Sequence, residues 1–416
     1  MREVPFKPLK IAVLTRHFSP KAGGAERYAM ALVRALCAHH EVHVFAQRVE
    51  FAPEGVHYHL IGEPLKRPRW LNQWWYAFKT WQLTRAGFDV VHSHENTWHG
   101  QVQSVHVRPA WLNLLGAVHA SRGFGHWFKT AWRCLGVLSS PRKMSYLWLE
   151  HRRLHPKFGK HVVSVSNSLE QELSLRFGLD AKHLSTISPG VDDNTDWLKA
   201  HALDHMDQDQ LKRHAREHLG LDSELTWLLW VGNDARKKGL LTLLNALKDL
   251  PDQVHLMVVG QARHADKVLR QLRSRGVPKA LASRLRFLGS QADVSMAYLA
   301  SDVLVHPTLE DTFGMVVLEA MSWGRPVCVS AAKFCGIAAH LQHQDNAYVI
   351  EDPLDSAALL HGIEWVLRAE NFERVANAGL TWSQTQNWAS KALGMQEIYF
   401  KSMVLGSCTK ATTTQP

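Results

Sequence analysis

Short β-branched, apolar runs alternate with segments of helical period along nearly the whole chain, and this alternation demands a parallel α/β architecture. In the first half, 10–15, 41–46, 89–93, 103–107 and 161–166 read as strands. Residues 25–39 read as a helix with Ala29, Leu32, Val33 and Leu36 on one face. The second half repeats the pattern, with strands at 227–231, 254–259, 285–288, 303–306 and 326–329 and helices at 239–250, 264–275 and 314–323. At 416 residues the chain exceeds one ordinary core and suits two domains. The Pro-, Gly-, Asp- and Asn-rich run 187–196 marks the junction, followed by a polar helical stretch at 201–220. The expected division is 1–188, 189–385, and a C-terminal helix within 386–416 that packs back on the first domain. The tail after Met403 reads as frayed.

The remaining composition narrows the class. Five scattered cysteines (Cys37, Cys134, Cys328, Cys335, Cys408) form no Cys-x-x-Cys pair, so neither a disulfide framework nor a zinc site is expected and a reducing cytoplasm fits. No apolar run is long enough to span a bilayer, and the N-terminal MREVPFKPLK leads straight into a strand rather than a signal peptide. Charge is uneven. Residues 1–190 hold 25 Lys and Arg against 12 Asp and Glu, and the remainder 23 against 26. The first domain is therefore expected to meet something anionic: nucleic acid, acidic lipid or a phosphorylated glycan. Residues 108–160 add tryptophans (Trp111, Trp127, Trp132, Trp148) among many Arg and Lys, a pattern suited to a lipid headgroup layer or to a packed core with a solvated basic face.

Four stretches carry chemistry. Gly23-Gly24-Ala25-Glu26 lies between a strand and a helix, where glycines admit a close ligand and a helix start offers N–H groups to an anion; a plain tight turn looks the same. The dinucleotide fingerprint is absent and the second strand ends in Gln47-Arg48, which disfavours a nicotinamide enzyme. Asn233-Asp234-Ala235-Arg236-Lys237-Lys238-Gly239 puts three consecutive cations before a helix. The helix dipole disfavours them there, a cost that a bound diphosphate would offset. A solvated basic turn is the plainer reading. The strongest stretch is 306–320 (HPTLEDTFGMVVLEA). Asp311 precedes a helix whose first turn is read as Thr312 to Met315, and could be its N-cap. Glu319 falls inside an apolar run and needs a partner there, from sugar or ribose hydroxyls or from a salt bridge. Finally His92, His94 and His106 stand at strand ends, where open α/β sheets bind ligands. No metal-ligand spacing is recognisable. Asp207-Gln208-Asp209 mimics a metal-binding D-x-D but lies in the polar helical stretch and reads as solvated.

These residues together resemble the retaining glycosyltransferases of family 4, over nearly the whole chain and most densely over 227–330. Within that family, VGNDARKKGLLTLLNAL and DVSMAYLASDVLVHP are most similar to the lipopolysaccharide core glucosyltransferase I branch. The resemblance implies a GT-B fold: two Rossmann-like domains facing an interdomain cleft, with the acceptor on the first and the nucleotide sugar on the second. It implies roles by position. Gly23 and Gly24 would approach the donor phosphate or the acceptor. Lys238 would neutralise the diphosphate, with Asn233, Arg236 and Lys237 beside it. Asp311 would hold donor-sugar hydroxyls. The N–H groups of Phe313, Gly314, Met315 and Val316 would cradle the distal phosphate, and Glu319 would bind the ribose. His106 matches the strand-end histidine beside the sugar. Three positions depart from the pattern: Asn233 stands where many members carry Arg, Asp311 is one methylene shorter than the usual Glu, and His106 replaces the acid frequent in the core glucosyltransferase branch.

The resemblance further implies a metal-independent, front-face transfer in which the leaving diphosphate helps deprotonate the acceptor hydroxyl. No cofactor is expected, the donor being a nucleotide diphosphate sugar, UDP-glucose by resemblance. The acceptor would be an anionic, lipid-linked glycan. The enzyme would be a monomer lying peripherally on the inner face of the cytoplasmic membrane. Nucleic acid is not expected, since no nucleic-acid-binding module signature appears. Two competing readings are a sugar-nucleotide epimerase on the same fold and a non-enzymatic basic module for anionic membrane or glycan. The second leaves Asp311 and Glu319 unexplained.

Overall fold

The computed structural model describes residues 7–19, 23–65, 67–110, 140–260 and 279–412. The chain forms two compact units, Met1–Ser188 together with Trp388–Pro416, and Pro189–Asn387. The expected helix at 264–275 and most of the Trp/basic region, including Trp111, Trp127 and Trp132, lie outside the described residues.

The first unit contains β1 (Lys10–Leu14), β2 (His17–Phe18), β3 (Glu41–Ala46), β4 (Arg48–Val49), β5 (Val56–Leu60), β6 (Val90–Ser93), β7 (Val102–Val105), β8 (His161–Ser164) and β9 (Leu184–Thr186). Seven of these make one parallel sheet in the order β5-β3-β1-β6-β7-β8-β9, and β2 pairs separately with β4. The chain builds outward from β1 in one direction, then returns and builds from β1 in the other. The gap between the ends of β1 and β6 is thus a topological switch point, where α/β sheets bind ligands. Inner strands are buried on both faces, so they read as nearly continuous apolar runs. Edge strand β5 is half exposed and alternates with histidine, which hides it in the sequence.

The second unit contains β10 (Thr226–Val231), β11 (Val254–Val259), β12 (Leu285–Gly289), β13 (Val303–His306), β14 (Val327–Ser330) and β15 (Tyr348–Ile350). They form a second parallel sheet, β12-β11-β10-β13-β14-β15, with its switch point between β10 and β13. Its core joins Leu228, Trp230, Val258, Val303 and Val305 of the sheet to Leu240, Leu243, Leu244 and Leu247 of the helix Leu240–Leu247.

Most elements fall where the alternation puts them, with ends shifted by a few residues. The helix read at 25–39 spans Gly24–Leu36, and its buried face carries Tyr28, Ala29, Leu32, Val33 and Leu36. Two readings need correction. The polar stretch 201–220 is not one helix: it follows directly on Asn194–Ala200, contains a break, and then forms Gln208–Leu219. Asp207 begins the latter as the N-cap of a capping box with Gln210, so its carboxylate serves the helix end. Residues 404–412 of the tail are not frayed, because the helix from Trp388 runs on to Thr412 with no proline to stop it.

Candidate functional site

In the second unit, two loops leave the sheet at the switch point, one after β10 and one after β13. The first is the turn Asn233–Gly239. Asp234 organises it by accepting the N–H groups of Arg236 (3.1 Å) and Lys237 (3.0 Å) on its carboxylate. Gly239 closes the turn in the left-handed region at φ +67° and begins the helix Leu240–Leu247. The second loop is bonded along the first: Leu309 N–H and Thr308 Oγ1 both donate to the Lys237 carbonyl, at 2.7 and 3.1 Å. Trp230 Nε1, from inside β10, donates to the Lys238 carbonyl at 2.9 Å. The three-cation turn is therefore fixed backbone, a point that the sequence, read as a diphosphate site or a solvated basic turn, leaves open.

The side chains meet across these loops. Lys238 Nζ lies 2.5 Å from Asp311 Oδ2, and Lys237 Nζ 2.8 Å from Glu310 Oε2. The same Asp311 oxygen receives His306 Nε2 at 3.0 Å. His306 is buried at the end of β13, and its Nδ1 has no hydrogen-bond partner among the described residues. Burial pushes the imidazole below its ordinary pKa despite the carboxylate beside it, so His306 is neutral and donates its Nε2–H to Asp311. For Asp311, burial acts upward, but the His306 hydrogen bond and the Lys238 charge outweigh it. The carboxyl is held below the usual range and stays ionised. Asn233 and Arg236 lie on the turn, and Arg236 makes no ion pair among the described residues.

Asp311 does not cap the following helix, which rules out the plainer of its two readings, and the helix does not begin at Thr312 as read from the sequence. Its N–H donates to the Phe334 carbonyl (2.7 Å) and its carbonyl accepts from Gly336 N–H (3.2 Å), a parallel bridge opposite Cys335. The Phe313 carbonyl accepts from Ile337 N–H at 2.7 Å, so residues 311–313 run alongside 334–337 instead of winding. The helix spans Met315–Ser322 with Gly314 as its N-cap. Met315 and Val316 open it, and first-turn N–H groups have no acceptor within their own helix. Glu319, half-buried one turn on, receives the Tyr298 hydroxyl at 2.7 Å. The partner that an acid in an apolar helix requires is thus a tyrosine from the helix Ser295–Ala300.

In the first unit, Gly23 and Gly24 are exposed at the start of the helix Gly24–Leu36, with Gly23 as N-cap. Nearby in the fold, His94 Nδ1 and His106 Nε2 share a hydrogen bond of 2.8 Å with their rings stacked. The Tyr28 ring, from the same helix as Gly24, meets the His106 ring edge-on at 4.8 Å. His92 is held by the Tyr399 hydroxyl and Ser104 Oγ, both at 2.8 Å. Behind them Arg153 is buried, donating to Asn96, Gln103 and the Ser104 carbonyl. Sequence spacing carries no signal for Arg153, Tyr28 or Tyr399, because each comes from a segment remote in the chain.

Burial, together with neighbouring His106 and Arg153, pushes His92 down to about 3. Burial and Arg153 push His106 to about 3, and His94 is also lowered. All three are neutral, so His106 acts as a hydrogen-bonding ring and not as a charged acid. The sign follows by linkage: an unfolded chain takes up these protons below about pH 6.5, the folded unit does not. The stability that they contribute is full above that pH and is lost progressively as pH falls below it toward the lowered values. Urea melts followed by tryptophan fluorescence at pH 7, 6 and 5 are expected to move to progressively lower midpoints. A midpoint constant over that range would contradict this account.

The two residue sets coincide with two known domains. Residues 22–195 match the model described as Glycosyltransferase Family 4, and residues 226–369 match Glycosyl transferases group 1. The lipopolysaccharide glucosyltransferase WaaG of Escherichia coli K12 is 32% identical over 148 residues, 35% of this chain and 38% of that enzyme. The crystal structure of WaaG aligns with a TM-score of 0.75 at 19% identity, covering 94% of this chain and 99% of that one. Anabaena HepE in complex with UDP and glucose aligns at 0.69 with 17% identity, covering 94% and 99%. At these identities the structural matches establish the fold, a GT-B pair of Rossmann-like domains.

Proposed function

Since the chain belongs to the family 4 glycosyltransferases, we propose that it moves a hexose from a nucleotide diphosphate sugar to a membrane-associated, anionic glycan, with retention of configuration and without a metal ion. Glucose from UDP is the donor that we favour, because the relatives include a lipopolysaccharide glucosyltransferase and a protein bound to UDP and glucose. The observation that carries the reading is the contact of Lys238, Asp311 and His306 at the switch point between β10 and β13.

In this reading Lys238 turns from Asp311 toward the leaving diphosphate as negative charge grows there. The N–H groups opening the helix Met315–Ser322 take phosphate oxygens, since a helix start favours anions. Asp311, steadied on Oδ2 by His306, offers Oδ1 to a sugar hydroxyl. Glu319, oriented by Tyr298, meets the ribose. The protein supplies placed charge rather than a nucleophile, and the leaving phosphate accepts the proton of the attacking hydroxyl. In the first unit, neutral His106 would bond to a sugar hydroxyl, and the exposed helix start at Gly24 would face an anionic group.

An acceptor at a membrane accords with the positive charge of residues 1–190. It also accords with Phe78, Trp81, Met144 and Trp148, large apolar side chains that are substantially exposed. Among the described residues no helix is long and apolar enough to cross a bilayer.

A thermal-shift panel of UDP, GDP, ADP and TDP sugars tests the donor. UDP-glucose is expected to give the largest stabilisation, unchanged by EDTA. A chain that no nucleotide sugar stabilises sinks the proposal, and turnover of UDP-glucose without any acceptor would favour an epimerase.

A further inference from the structure

Strands β3 and β5 bring a carboxylate and two imidazoles together on one face of the sheet edge, well apart in sequence from the residues assigned above. Glu41 Oε1 lies 2.9 Å from His43 Nε2, and His57 stands directly across the strand pair from His43. The two imidazole rings are stacked at 4.6 Å. One donor atom from each of the three lies within 4.8 Å of the others. We propose that Glu41, His43 and His57 form a site for a zinc-like divalent transition-metal ion that ties edge strand β5 to β3.

The chemistry of the set supports this. Two imidazoles and one carboxylate are a recurrent donor set for zinc, leaving a fourth position for water. Zinc holds nitrogen and oxygen ligands at about 2.0–2.2 Å, which places tetrahedral neighbours a little over ~3 Å apart. The Glu41–His43 pair is close to that separation already, and the exposed His57 and Glu41 side chains can turn to complete it. The nitrogen of His43 that faces away from the carboxylate, Nδ1, shares a hydrogen bond of 2.8 Å with His59 Nε2. Ligating histidines characteristically bond through their other nitrogen, which fixes tautomer and ring orientation. Here that bond is in place. The competing cation is Lys10, 2.8 Å from Glu41 on the surface. An exposed ion pair of this kind is weak and easily displaced.

The placement gives the ion a task. Among the described residues β5 is the outermost strand of its sheet, paired on one side only, and open edges are weak points of β-structure. A metal bridging His57 to β3 would cross-link that edge. Sequence spacing could not reveal the set, because two ligands alternate on one strand and the third comes from the next strand of the sheet.

A second set, His306, Asp311 and Cys335, also falls within 4.8 Å, but its carboxylate is already taken by Lys238 in the proposed donor site. The experiment must separate the two. Tag-free full-length protein is titrated with zinc alone by calorimetry, and with cobalt(II) by visible absorption. One saturable site is expected, lost in His57→Ala and in Glu41→Gln and retained in Cys335→Ser. His59→Phe is expected to weaken it about tenfold or more. Zinc is expected to raise the melting midpoint of the parent chain and not that of His57→Ala, whose exposed position spares the fold. No saturable binding, undiminished binding in His57→Ala, or a thiolate-to-cobalt charge-transfer band each overturns the assignment.

Discussion

Lys238→Ala is expected to lower kcat/KM by about 100- to 1,000-fold while the second unit stays folded. The backbone at this position is held independently of the side chain: Trp230 donates to the Lys238 carbonyl, and the Lys238 N–H bonds back to Asp234. Alanine therefore removes the ammonium and little else from the turn. The loss falls on the step in which charge accumulates on the leaving phosphate, so kcat is expected to fall further than donor binding weakens. The variant also leaves His306 as the remaining side-chain partner of the Asp311 carboxylate among the described residues, and the carboxyl should titrate higher than in the parent chain. Steady-state rates with UDP-glucose, together with a melting curve, check this. A variant with near-normal turnover would remove the lysine from the mechanism.

Gly239→Ala is expected to damage the same site by a purely steric route. A Cβ at this position would lie 1.8 Å from the Pro307 carbonyl oxygen, and φ is +67°. The left-handed backbone alone costs a side-chain-bearing residue about 1–2 kcal/mol. The overlap adds to this, because backbone cannot swing away as a side-chain tip can. The loop after β13 must move, and with it the bonds from Leu309 and Thr308 that hold Lys237 and Lys238 opposite their acids. A total destabilisation of about 3–5 kcal/mol, the upper range for one substitution, is expected together with near-complete loss of turnover. Gly289→Ala is the control. It shares the left-handed backbone at φ +72°, but its new methyl group would meet nothing within 4 Å, so it should show the strain alone. Equal losses in the two variants would dismiss the steric account.

The alternating architecture and both charged loops are legible in the sequence, since these depend on local pattern. Buried strands advertise themselves as β-branched runs, and Gly239 and Gly314 punctuate the helix starts. Pairing is hidden. Nothing in Lys237-Lys238 shows that Glu310 and Asp311 will hold them, because the partners meet only when β10 and β13 become neighbours. The cap alternative for Asp311 stays open in the sequence for a related reason. An aspartate shortly before an apolar helical run looks like a helix start, but 334–337 competes for its backbone and wins. Glu319 is legible as needing a partner, and not as having Tyr298.

The helix beginning at Trp388 belongs to the first unit, where Trp388 meets Tyr28 and Tyr399 bonds His92. During synthesis, then, the half that leaves the ribosome first is the half that must wait. Its histidine floor lacks a hydroxyl until the last segment emerges, whereas all the strands from Thr226 to Ile350 are by then exposed and able to assemble. The first unit is thus completed by a segment that the chain supplies only after the whole of the second unit.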